Sequence, residues 1–146
     1  MAYVVCGEIL GEQYRRLLEF AISYSDSFCV STFKVHRKEL NATYFDFFEA
    51  VAPFEIDQYA CKLPQHYEKG QKFHVFRLNN TCKNLIAQQQ SLWEWSFPDL
   101  PEDLSFLKDK KTWLNCITHE RMVIIDTNDD EVYSFINCLG IQLRRI

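Results

Sequence analysis

The sequence predicts an α+β domain: one mixed, mostly antiparallel sheet of five to seven strands, with three or four helices packed on it. Three observations carry this. β-rich runs alternate with stretches of three- and four-residue apolar steps in the first half. Three β-rich runs separated by short turns follow one another in the last third. The final helix is bounded by clear start and stop signals.

The elements follow in chain order. Tyr3 to Ile9 (YVVCGEI) is rich in β-branched residues and reads as a strand. After Gly11, the residues Tyr14, Leu17, Leu18, Ala21 and Ile22 recur at helical spacing, so one face of a helix is apolar. Ser27 to Val35 (SFCVSTFKV) is β-rich without clean alternation, as a strand covered on both faces would be. The strand–helix–strand order permits it to run parallel to the first. Asn41 is placed to cap a helix through ATYFDFFEAV, where Tyr44, Phe47, Phe48 and Val51 form a stripe and Pro53 forces the end. The runs IDQYACKL and KFHVFRL flank PQHYEKGQ, whose Pro64 and Gly70 mark a loop, and are expected to form a loose hairpin. Thr81 is placed to cap a short helix, CKNLIAQQQ.

The stretch WEWSFPDLPEDLSFL, Trp93 to Leu107, crowds tryptophans, prolines and carboxylates together. In an extended chain Trp93, Trp95 and Phe97 share one face, with Glu94 and Ser96 opposite. Pro98 and Pro101 interrupt the strand, and DLPE fits one helical turn with Asp99 as cap and Glu102 reaching back. SFLKDKKTWLNCITHERMVIIDT then reads as a three-stranded meander with turns at KDKK and HER. Thr127 is expected to cap the last helix. Its first turn is acidic, its stripe is Val132, Phe135, Ile136 and Leu139, and Gly140 ends it.

Composition narrows the class. A chain of 146 residues, 47% hydrophobic and 15% aromatic, can build one sizeable core, so residues 1–146 are expected to form a single domain. A net charge of −4 argues against a nucleic-acid duplex as main partner, because backbone binding needs a basic face. No run approaches the roughly 18 apolar residues of a membrane span, and the N-terminal segment lacks a signal-peptide pattern. A cytosolic protein is expected, with six reduced cysteines used as small core residues and with the Asn41 and Asn79 sequons unmodified.

The chemical candidates are few. His119 and Glu120 lie at a turn, where a histidine–carboxylate pair can do acid–base work. Cys116 and His119, with Asp126 as orienter, suggest a nucleophile and base, but three residues apart on a strand they face opposite sides. Cys61, His66, His74 and Cys82 suit zinc in type but lack the short spacings that deliver two ligands from one turn. His74 is better read as a hydrogen-bonded structural histidine. The four glycines form no phosphate-binding loop. No metal or cofactor is expected.

The segment FPDLPEDLSFLKDKKTW, followed by THE and a helix that begins in acidic residues, resembles a group of small uncharacterised bacterial proteins. They share a motif LPEDL.F, a strand with tryptophan and then HE. The resemblance spans about the last fifty residues and implies no activity or site.

The functional expectation is a non-enzymatic binding protein of the immunity or regulatory type, taking a basic protein partner. Candidate contact residues are Trp93, Trp95, Asp99, Glu102 and Asp103, since aromatic and carboxylate groups suit such an interface. The alternative is a small hydrolase or nuclease that uses His119 and Glu120.

Overall fold

The computed structural model describes residues 1–64 and 70–146. Strand β1 (Ala2–Cys6) leads into α1 (Gly11–Tyr24), whose buried side is Tyr14, Leu17, Leu18 and Ala21, as the periodicity requires. Strand β2 (Ser27–Thr32) precedes α2 (Ala42–Val51), which buries Tyr44, Phe47 and Val51. Strand β3 (Glu55–Ile56) is only two residues long and pairs with β4 (Lys72–Arg77), so the hairpin is shorter than the β-rich runs suggest. Helix α3 (Asn80–Ala87) follows, then the meander β5 (Glu102–Lys108), β6 (Lys111–Ile117) and β7 (Met122–Asp126). Helix α4 (Asp130–Cys138) and β8 (Gln142–Arg145) complete the chain.

The strands form one eight-stranded sheet in the order β3-β4-β2-β5-β6-β7-β1-β8. This is more than the five to seven expected, because β8 carries almost no sequence signal. β8 has a single apolar residue, Leu143, and exists because the free edge of β1 accepts it. Every ladder is antiparallel, which corrects the expectation of a mixed sheet. β2 runs in the same direction as β1, but the whole meander is inserted between them.

Side chains of all four helices join Phe28, Val30, Phe76, Leu104, Phe106 and Ile125 in one buried cluster. The alternate strand residues look to the other face, where Cys29, Val75 and Leu107 pack with Ile56, Cys61, Leu63 and Phe73. Among the described residues, no helix covers that second face, and its centre is polar: Ser31, Ser105 and Asn115.

Three helix starts differ from expectation. Asn79, rather than Thr81, caps α3 by accepting from the Cys82 N–H at 3.0 Å. Asp129, rather than Thr127, caps α4 by accepting from the Glu131 N–H, while the Thr127 hydroxyl oxygen accepts from Asp129 N–H one turn earlier. Asn41 precedes α2 but makes no side-chain cap; its amide donates to Asp99 Oδ1 at 2.6 Å. The end of α4 is as expected, with Gly140 at φ +77°. All six cysteines are free thiols, but Cys6 and Cys138 are exposed rather than in the core.

Candidate functional site

The site is built around the corner that carries the chain from α3 into β5. Leu92–Glu94 forms a 3-10 turn closed by a reciprocal cap between Ser91 and Glu94. The capping pair expected at Asp99 and Glu102 therefore lies eight residues upstream, and Glu102 instead opens β5. The turn also ends the shared face expected for Trp93, Trp95 and Phe97. Trp95 has no exposed surface and meets the Phe47 ring edge-on at 5.4 Å. Trp93 is half-buried beneath the Arg121 guanidinium, 5.7 Å from its ring. Phe97 stays 44% exposed.

β2 and β5 are out of step at this corner. Cys29 pairs with Ser105 and Ser31 with Glu102, so β5 spends one residue more than β2 over the same span. The extra residue is accommodated at Asp103, whose φ of +58° lies in the left-handed region that glycine usually takes. An aspartate is tolerated there because its side chain is held from two sides. Oδ1 accepts from Thr118 N–H at 2.7 Å and Oδ2 from the Gln71 amide at 3.3 Å. Gln71 donates equally to the Ser31 hydroxyl at 2.8 Å, which ties β2, β5 and the start of β4 together.

Glu102 is buried beside it. Its Oε1 accepts from Phe97 N–H and from the Ser96 hydroxyl, both at 3.1 Å, so the carboxylate holds the corner shut. Burial pushes the carboxyls of both Glu102 and Asp103 above their ordinary range, and their hydrogen bonds and the nearby His119 only partly oppose this. Among the described residues neither forms an ion pair with Lys or Arg.

His119 and Glu120 sit on the exposed 3-10 turn Thr118–Glu120, with Nε2 and Oε1 3.8 Å apart. Cys116 is wholly buried in the helix-side core, which pushes its thiol up and away from a reactive thiolate. Asp126 is at the far end of β7, paired with Ala2 and 3.4 Å from the Met1 ammonium. Cys61 and Cys82 lie in the clusters on opposite faces of the sheet. His74 Nε2 is 2.9 Å from the Thr32 hydroxyl, and burial holds its pKa below the ordinary value. His66 lies outside the described residues.

Of the residues singled out from sequence, Trp93 and Asp99 reach a common surface groove, with Glu94, Phe97, Thr43 and Gln89 along it. Trp95, Glu102 and Asp103 are buried beneath it. Glu94 and Phe97 were not singled out; the available signal is a large apolar residue wedged between Ser96 and Pro98, where a buried strand would not place one. No protein-family model, curated protein or solved structure matches this chain.

Proposed function

We propose that the protein is a non-enzymatic binding protein of the immunity or regulatory type, whose 93–99 corner receives a basic protein partner. The observation that carries this reading is the groove itself: an exposed phenylalanine and a half-buried tryptophan share its lining with the carboxylate residues Glu94 and Asp99. Aromatic anchors with flanking charge are the composition of a protein interface. The net charge of −4 favours a positively charged partner through steering and complementarity. The hydrolytic alternative has less support, since the His119 and Glu120 pair lies on an exposed turn and Cys116, the nucleophile the sequence offered, is buried in the core.

Capture from the native host with the intact protein, followed by mass spectrometry, tests the proposal. A stoichiometric basic protein retained by the wild type and lost from a Phe97→Ala, Asp99→Asn variant supports it. The absence of any stoichiometric partner under gentle conditions overturns it. Screening hydrolase and nuclease activities of the wild type against His119→Ala tests the alternative, because loss of a catalytic histidine costs orders of magnitude in rate.

A further inference from the structure

Glu102 is a buried carboxylate that pairs with no Lys or Arg among the described residues. It is 6% exposed, and Oε1 takes both of its hydrogen bonds. Oε2 takes none among the described residues. Carboxylates so deeply buried are as a rule paired with a positive charge, because an isolated charge is expensive to remove from water. Among the described residues, the positive influence on it is the exposed His119.

What Glu102 faces is informative. Glu102 lines a small pocket whose other walls include Phe33, Val35, Tyr44, Phe97 and Pro101. The interior is tight, with room for about one water-sized group. Three aromatic residues and a glutamate share this lining, a composition suited to a cation, since rings attract positive charge through their quadrupoles. The tightness selects among cations. A primary ammonium is the size of a water molecule, whereas a guanidinium or a quaternary ammonium is much larger.

We propose that this pocket receives a primary ammonium, the end of a lysine side chain, with Glu102 Oε2 as its acceptor. The proposal rests on the basic-partner reading above and deepens it. Phe97 walls both this pocket and the groove of Glu94 and Asp99, so a polypeptide lying in the groove can drop one lysine past the ring. That continuity favours a polypeptide over a free amine as the source.

The test is a titration of the full chain followed by amide chemical shifts, with n-butylammonium, n-butanol, butyltrimethylammonium and blocked Ala-Lys-Ala and Ala-Arg-Ala peptides as probes. The expected result is saturable shifts at Phe33, Tyr44, Phe97 and Glu102 with butylammonium and the lysine peptide. The alcohol, the quaternary amine and the arginine peptide should bind at least tenfold more weakly. Glu102→Gln keeps an acceptor for Phe97 N–H and should lower lysine-peptide affinity at least tenfold, because a desolvated charge pair is lost. Phe97→Ala removes an exposed ring, leaves the fold intact and should lower affinity severalfold, which keeps the test decisive if Glu102→Gln folds poorly. Saturable binding of no ammonium probe, or equal binding by wild type and both variants, overturns the pocket. Tighter binding of butylammonium than of the lysine peptide overturns the polypeptide source. If a captured host partner binds Glu102→Gln as well as wild type, the pocket inference fails while the basic-partner reading stands.

Discussion

Trp95 and Phe97 stand two residues apart in one corner, yet the first has no exposed surface and the second is 44% exposed. An extended backbone would put both on one face. The 3-10 turn at Leu92–Glu94 removes that equivalence, and Trp95 turns into the core against Phe47 of α2. Phe97 is left to the surface, where it walls a groove and a pocket. A paired contrast runs through the next two residues. Asp103 is hydrogen-bonded through both oxygens, while among the described residues Glu102 bonds through one. Trp95 is secured by burial and Asp103 by bonds to both oxygens, whereas Phe97 keeps its ring at the surface and Glu102, as buried as Asp103, bonds through one oxygen among the described residues.

The largest effect that bears on this contrast comes from Trp95→Ala. Deleting a fully buried indole leaves a cavity and should cost about 3–5 kcal/mol in urea denaturation. A cost under about 0.5 kcal/mol, the usual surface value, would break the inward assignment. The ring is stabilising even though the buried Trp95 Nε1–H has no acceptor among the described residues, since its apolar payload exceeds that of a single lost hydrogen bond.

Asp103→Ala comes next. It orphans the buried Thr118 N–H and places alanine in a left-handed conformation, for a loss of roughly 2–4 kcal/mol. Asp103→Gly sharpens the point, because glycine accepts that backbone conformation freely and should recover about 1 kcal/mol of the loss. Equal losses in the two variants would show that the backbone at Asp103 carries no strain.

Smaller still is the effect of Glu102→Gln, which acts through pH. The folded carboxyl sits above its ordinary value of 4.5 because it is buried, so the folded state binds its proton more tightly than the unfolded state. Stability from this group therefore rises as pH falls through the folded pKa towards 4.5, and its ionised form weakens the fold at neutral pH. Asp103 contributes with the same sign. His74 opposes both, since its pKa is lowered and it loses stability as pH falls below 6.5. Comparing variant with wild type isolates Glu102. The melting temperature of Glu102→Gln should exceed that of the wild type at pH 8, and the two should converge near pH 4.5. A variant less stable at pH 8 would mean that its charge holds the corner more strongly than burial opposes it.

Phe97→Ala should do least to stability, less than about 0.5 kcal/mol, while weakening ligand capture. A loss near that of Trp95→Ala would erase the distinction between the two rings.

The contrast also shows which parts of the site were legible beforehand. The density of aromatic and acidic residues at 93–103 marked the corner, and Asp99 and Trp93 do line its groove. The burial of Glu102 was not legible, because Phe33 and Tyr44, which wall its pocket, come from β2's exit and from α2. Nor was the bulge at Asp103, whose cause is the register against β2; the Ser31 hydroxyl donates to the Glu102 carbonyl across 71 residues of sequence.

The sequence by itself determined what depends on neighbours in the chain. The stripe of α1, the acidic first turn and Gly140 stop of α4, and the meander with its turns all follow from short-range spacing and backbone preference. Only the tertiary structure decided the strand order, the recruitment of Gln142–Arg145 to the edge of β1, the fates of Trp95 and Phe97, and the lone carboxylate of Glu102. The physical reason is that pairing and burial are properties of two remote segments together. An edge strand needs only a free row of backbone donors and acceptors, and a ring or carboxylate is buried only where another segment arrives to cover it.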